Sequence, residues 1–280
     1  MKRLIPLGAL VLSAMLPVTV FAAASLVVNR GLPTANLNNA AGASRSNVAW
    51  SFGNDYITGD DFTIGSAGQS WVITKIRTWS INGTPETAEM GDRFSSVSLY
   101  GGTASAYLPL TPISTGTLST GSSANSNPNI THTRVTYAGG ADYQGSSGAY
   151  IQIWQNDFSN LAWVVDGGTL YVVGVDGTLR PSASYYWFNH ASNAALSGST
   201  QDGSDDLFWY WAKDGTDSGQ WDSNGGGWDK SSDINVQVWA SHIATDKNNC
   251  KNYGWQALVR ADGSGFKNQG DCIQYVNTGK

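Results

Sequence analysis

Charge is scarce in this sequence, and one kind of charge is nearly missing. Only 13% of the 280 residues are Asp, Glu, Lys or Arg, about half the ~25% usual for soluble domains. Of the 21 acidic residues, Glu86 and Glu89 are the only Glu; the rest are Asp. Asp bonds to nearby backbone and favours turns, whereas Glu favours helices. The shortage of Glu therefore excludes a mainly helical protein and leaves Asp-rich loops. Basic residues number 16 and the net charge is −5, too little positive charge to release counterions from phosphates, which excludes a nucleic-acid partner. Histidine is limited to His132, His190 and His242. No H-E-x-x-H pair and no G-x-S-x-G elbow occurs, so neither zinc hydrolysis nor a serine nucleophile has a sequence signature. Beyond the first two dozen residues no apolar run is long enough to cross a membrane.

What the chain has instead is aromatic residues, 11% of the total with 12 Trp, together with 33 Gly. Large rings in that number build a core, so disorder is excluded. The beginning reads Met1-Lys2-Arg3, an apolar stretch Leu4 to Phe21, then Ala22-Ala23-Ala24, the order of parts in a secretory signal. Pro6, Gly8 and Pro17 interrupt the stretch and argue against a membrane anchor. Residues 1–24 are expected to be removed. No Cys follows that could carry a lipid. In an exported chain the lone pair Cys250 and Cys272 is expected to form a disulfide; a metal site would need further thiol or imidazole ligands, and only His242 is near in sequence.

Short β-branched and aromatic runs between Gly, Asn, Asp and Ser clusters mark strands. They fall at 26–29, 61–64, 71–81, 95–100, 131–137, 150–156, 161–164, 168–175, 184–189, 207–212 and 233–240. In 71–79 one face is expected to carry Trp71, Ile73, Ile76 or Lys75 depending on a bulge, and Trp79. In 234–239, Ile234, Val236 and Val238 oppose Asn235, Gln237 and Trp239. Alternation of this kind means half-buried antiparallel strands. The fold expected is all-β: an antiparallel, jelly-roll-like β-sandwich over 25–243. A disulfide-closed, partly helical tail follows at 244–280. Residues 35–43 are read as a short helix, 114–129 and 139–148 as loops, and Gly167-Gly168 and Asp176-Gly177 as turns flanking a strand.

Four segments carry a resemblance: Val28-Asn29-Arg30-Gly31-Leu32-Pro33-Thr34, then Asn47-Val48-Ala49-Trp50, then Gly59-Asp60-Asp61-Phe62-Thr63-Ile64, and Asp233-Ile234-Asn235-Val236-Gln237-Val238-Trp239. The early DDF strand, a following strand that ends in Trp79 and the late DINVQVW strand resemble a group of uncharacterised secreted bacterial β-sandwich proteins. The tail, from Cys250-Lys251-Asn252-Tyr253-Gly254-Trp255 to Gly270-Asp271-Cys272, resembles a short Cys-paired module at the ends of exported bacterial proteins. The resemblance implies export and fold, and carries no activity and no catalytic residue with it.

Candidate chemistry gathers between 187 and 228. Trp187, Trp209, Tyr210, Trp211, Trp221 and Trp228 are interleaved with Asp, Asn, Gln and Gly. Aromatic faces stack on sugar C–H groups while loop oxygens such as those of Asp206 reach the hydroxyls. Successive strand residues point to opposite sides, so Trp209, Tyr210 and Trp211 cannot all enter the core, and Tyr210 is expected on the outer face. The calcium candidate is Asp222 with Asn224 and Asp233, a degenerate match to an oxygen-ligand loop; its alternative is an ordinary Asp/Asn/Gly turn. No cofactor is called for, Ca²⁺ apart. The function expected is non-catalytic recognition of an extracellular polysaccharide. Its alternatives are a glycan hydrolase using paired Asp from 202–229, and a purely structural envelope protein whose Trp residues are all core.

Overall fold

Ser70–Asn82 (β4) is the spine of the larger sheet, and its sequence explains its reach. Val72, Ile73, Ile76, Thr78 and Ile81 supply β-branched side chains throughout, which fit a pleated, packed surface. Thirteen residues are long enough to take two neighbours in succession along each edge. On one edge β4 pairs antiparallel with Val236–Ile243 (β15) and then with Trp187–Asn189 (β12). On the other it pairs with Trp163–Asp166 (β10) and then with Tyr150–Phe158 (β9).

The computed structural model describes residues 24–32, 48–49, 56–82, 89–104, 111–135, 143–144, 150–181, 187–190, 192, 207–221 and 233–280. The larger sheet is completed by Ser25–Asn29 (β1) on β15, Val48–Ala49 (β2) on β12, and Ile130–Val135 (β7) and Tyr143–Gln144 (β8) on β9. The smaller sheet has the order β14-β13-β3-β11-β5-β6. Its members are Tyr56–Thr63 (β3), Phe94–Thr103 (β5), Thr111–Thr117 (β6), Leu170–Leu179 (β11), Phe208–Ala212 (β13) and Ser218–Trp221 (β14). A single turn of helix, Met90–Arg93 (α1), leads into β5. The protein is an all-β sandwich, as its alternating strands require.

One apolar core fills the space between the sheets. Ile73, Ile76, Trp154, Phe158, Trp187, Val236 and Val238 from the larger sheet meet Phe62, Phe94, Val97, Leu99, Val173 and Val175 from the smaller. The chain crosses between sheets at short turns. Gly167 and Gly168 carry it from β10 to β11, with Gly168 at φ 74° and donating to the Ile64 carbonyl at 2.9 Å.

Three sequence expectations are corrected by the register. The pairing of β4 with β15 shifts between Trp239 and Ala240, so Thr74 is a bulged residue. The bulge brings Ile76 to the core side with Ile73, and Trp79, three residues beyond Ile76, therefore lies on the outer side with Ile81 and Ile153. Residues 111–117, largely read as loop, form β6, an edge strand whose Thr residues suit pairing and whose Pro112 is tolerated at an edge. Asp176-Gly177 is not a turn: β11 runs on to Leu179, and a side chain at Gly177 would strike the Phe94 ring. The helix expected at 35–43 lies outside the described residues, as does the expected loop 139–148 apart from β8.

The tail grows off the end of β15. Leu258–Val259 (β16) adds in parallel to His242 and Ile243. The 3₁₀ turn Gly254–Ala257 precedes it, and Gln269–Thr278 (α2) follows, capped where the Asn268 side chain accepts from the Asp271 N–H at 2.9 Å. Cys250 and Cys272 are bonded, closing a 22-residue separation. Ala244, Leu258, Phe266 and the disulfide form a small separate core, and Val259 and Tyr275 join Val72 and Ile243 on the sheet. Among the described residues no helix is long and apolar enough to cross a membrane.

Candidate functional site

Among the described residues, two polar centres and two aromatic faces gather the groups that could do chemistry. The first centre is Arg30, fully buried at the end of β1. Its Nη1 donates to Asp233 Oδ1 and reaches Asp60 Oδ2, each at 2.8 Å. Its Nη2 donates to the Asp61 carbonyl at 2.5 Å and to Asp61 Oδ1 at 3.4 Å. Asp60 also accepts from the backbone N–H of Ile234 and of Asp61. The Arg30 carbonyl takes the Ser192 hydroxyl and the Asn235 amide, and Asn235 in turn bonds His190 at 2.7 Å. Segments 28–34, 59–64 and 233–239, far apart in sequence, thus meet at one guanidinium, which joins β1, the smaller sheet and the approach to β15.

Three carboxylates around one cation are too many for a dry site. Burial, and then the neighbouring Asp233 and Asp61, push Asp60 well above the usual carboxylate range in spite of Arg30. For Arg30 burial works against its charge, but the surrounding carboxylates overcome it and raise its pKa. This is a sealed structural joint rather than an open catalytic pair. It also corrects the calcium assignment of Asp233. Its carboxylate holds a guanidinium, and a cation already occupies the position a metal would need. Asp222 and Asn224 lie outside the described residues. Among the described residues no group of three or more His, Cys, Asp or Glu is arranged to hold a metal ion.

The second centre surrounds His132 on β7. Asn156 Nδ2 donates to Ser80 Oγ at 3.0 Å, which leaves Asn156 Oδ1 to accept from His132 Nδ1 at 2.9 Å. His132 Nε2 then accepts from Asn125 Nδ2 at 3.3 Å. Each ring nitrogen has the partner that the neutral imidazole needs. Burial lowers the pKa to about 4, the Asn156 bond offsetting only part of it.

The aromatic residues divide by strand alternation, though not with the polarity the sequence suggested. Trp187 is 2% exposed and belongs to the main core, its Nε1 donating to Ser80 Oγ at 2.8 Å; it is corrected from candidate platform to core. On β13, Tyr210 stands opposite Thr58 and edge-on to Tyr56, with ring centroids 5.9 Å apart. Thr58 receives Asn189 from the other sheet, so Tyr210 faces inward, which corrects its expected outward position. Trp209 and Trp211 take the outer face. Their rings are nearly parallel, 6.1 Å between centroids.

The outer-face register explains their packing. Tyr100, Gly174, Gly59 and Trp209 lie in one row across four strands. With no side chains on the two central glycines, the flanking rings can lie down onto the sheet. Trp211 does so completely: it packs on Ile57 and Val172 and is 2% exposed, which corrects it too as a contact residue. Trp209 remains half-buried. Its Nε1 donates to Asp61 Oδ2 at 2.7 Å, and Gln220 Nε2 reaches the same oxygen at 3.4 Å. Asp61 is thereby held from within by Arg30 and fixes the indole on the surface. Lys213 pairs with Asp176 at 2.7 Å beside them. Trp221 closes β14, and Trp228 and Asp206 lie outside the described residues.

The larger sheet presents a second outer cluster, which the sequence reading passed over. Lys75 and Arg77 both bind Asp157, at 3.0 Å and, through the Arg77 fork, 2.5 and 2.8 Å. Both cations also lie over the Trp239 ring, 5.0 and 5.4 Å from its centroid. Burial alone would raise Asp157; Arg77 and Lys75 outweigh it and lower its pKa. The available signal was the outward position of Trp239 in the late strand, which the register sets directly opposite Lys75.

No family model, curated protein or solved structure matches this chain.

Proposed function

We propose that this protein is an exported, non-catalytic module that recognises carbohydrate on the outer face of its six-stranded sheet. Trp209 is the stacking ring, Tyr100 flanks it across the glycine row, and Gln220 and Lys213 are the polar groups beside it. The observation that carries the reading is the half-buried indole of Trp209 locked by Asp61. A ring held in one orientation loses little rotamer entropy when a sugar lies against it, and its open face suits pyranose C–H groups. The formed disulfide supports an oxidising, extracellular setting, and the signal-like residues 1–24 supply the route.

Affinity electrophoresis against a panel of neutral polysaccharides tests this. Retardation on at least one glycan is expected, reduced by Trp209→Ala and unchanged by a substitution at exposed Val164. Retention of full binding in a folded Trp209→Ala protein would sink the reading. A second reading, a structural envelope protein, draws on the burial of Trp187 and Trp211. It expects no retardation on any glycan.

A further inference from the structure

We propose that the disulfide-closed tail is a second binding module, directed to acidic polysaccharide, with Tyr253 as its stacking ring and Lys247 and Lys251 as its cations. The first observation is charge. Residues 25–243 hold nine Lys and Arg against eighteen Asp and Glu, while residues 244–280 hold five against three. The tail's acids are largely engaged locally. Asp271 binds Arg260 at 2.7 Å and accepts from the Lys267 N–H, Asp246 accepts from the Asn248 N–H, and Asp262 from the Ser264 N–H. Lys247, Lys251, Lys267 and Lys280 stand exposed. An acidic body therefore carries a basic appendage, and the field around the appendage attracts polyanions.

The second observation is Tyr253 itself. It is 77% exposed, more than any other large hydrophobic side chain described. Asn252 and Tyr253 are consecutive left-handed residues, at φ 53° and 67°. For a bulky side chain this conformation is strained, and it persists only where the surroundings impose it. Here the turn is braced by the buried Cys250 three residues earlier, by Gly254 N–H on the Lys251 carbonyl at 2.9 Å and by Gln256 N–H on the Tyr253 carbonyl at 3.1 Å. Gly254 is obligatory, because any side chain there would meet the Asn249 carbonyl. The strain holds an aromatic ring out in water, where it contributes nothing to the tail's core.

The neighbours decide the occupant. Lys251, Asn252 and Gln256 are exposed polar residues within three positions of this ring in the chain, Lys251 Nζ donating to Asn248 Oδ1 at 2.9 Å. Insertion into a lipid surface needs a broad apolar face, whereas a sugar takes one ring for stacking and polar groups for its substituents. Lysine meets an anionic substituent as a mobile point charge.

The test uses the full chain with polygalacturonate, dextran sulfate, neutral dextran and anionic phospholipid vesicles. Binding to polygalacturonate is expected, absent on dextran and weakened by salt. Tyr253→Gly is expected to lower the affinity about tenfold while leaving the melting temperature unchanged or higher, because glycine relieves the left-handed backbone. Lys247→Glu with Lys251→Glu is expected to abolish binding. Full binding by the Tyr253→Gly protein, binding to dextran sulfate alone, or binding to vesicles instead of polysaccharide overturns the proposal. A Trp209→Ala arm keeps the two sites apart: tail binding survives it, whatever becomes of the sheet face.

Discussion

Arg30 is the residue on which the largest single effect is expected. It lies six residues past the expected signal segment, directly after a strand of only five residues, yet its guanidinium meets Asp60, Asp61 and Asp233 with no exposure to solvent. Removing one partner of a buried ion pair costs about 3–5 kcal/mol, because it leaves uncompensated charge behind. Arg30→Met is therefore expected to lose at least that much in urea unfolding; a midpoint within error of the parent would show that the joint is not structural. His132 gives a prediction with the opposite kind of charge. In the folded protein it stays neutral down to about pH 4, whereas unfolded it takes a proton near 6.5. The unfolded chain thus binds more protons between those values, and stability falls as pH drops through that window. The loss amounts to at most about 3 kcal/mol. His132→Gln should flatten the melting temperature between pH 6.5 and 4.

At the scale of elements, the tail and β4 behave differently. The tail has its own small core and joins the body through the two residues of β16 and the packing of Val259 and Tyr275 on Val72 and Ile243. A disulfide over this span contributes about 3 kcal/mol in the chain-entropy picture. Replacing both Cys with Ser should raise amide exchange in α2 and β16 while β4 and β9 keep their protection. Equal loss of protection in β4 would mean that the tail is integral to the sandwich. Beside β4, Asp157 of β9 is held low by Arg77 and Lys75 of β4 against the pull of burial. Its contribution is present above the unfolded value near 3.9 and is lost as pH falls through its depressed folded value. Most strands were legible from alternation alone: β4, β9, β11 and β15 fall close to the runs of β-branched residues that mark them. β6 was not, because Ser, Thr and Gly read equally well as loop until a partner strand pairs them. Nor was the continuation of β11, since Asp-Gly signals a turn unless an opposing ring, here Phe94, needs the missing side chain.

For the whole molecule, the two sheets share an apolar core but are also tied by polar bridges through the interior. Arg30 reaches Asp60, and Asn189 reaches Thr58. β1 is thus more than an edge strand. Deleting residues 25–30 should disrupt packing across both sheets, seen as lost near-UV circular dichroism and dye binding to exposed apolar surface. Survival of a single cooperative transition near the parent's temperature would count against this. The two proposed contact surfaces belong to different parts of the architecture: Trp209 on the six-stranded sheet and Tyr253 on the tail.

The amino-acid sequence by itself determined the class of the protein. Period-two alternation, the shortage of Glu and the lone Cys pair each act locally, through backbone preference or chain proximity, and they led to an all-β sandwich with a closed tail. It also determined that Trp209 and Trp211 share a face that Tyr210 does not. Which face that is, only the tertiary structure decided. The answer depends on what lies across the strand and across the core: Thr58 and Asn189 fix the inward side, and the Gly59–Gly174 row gives the outer rings a floor. Pairing register and long-range charge compensation likewise brought Arg30 to Asp233, 203 residues away, because a buried guanidinium must find its carboxylates wherever the fold places them.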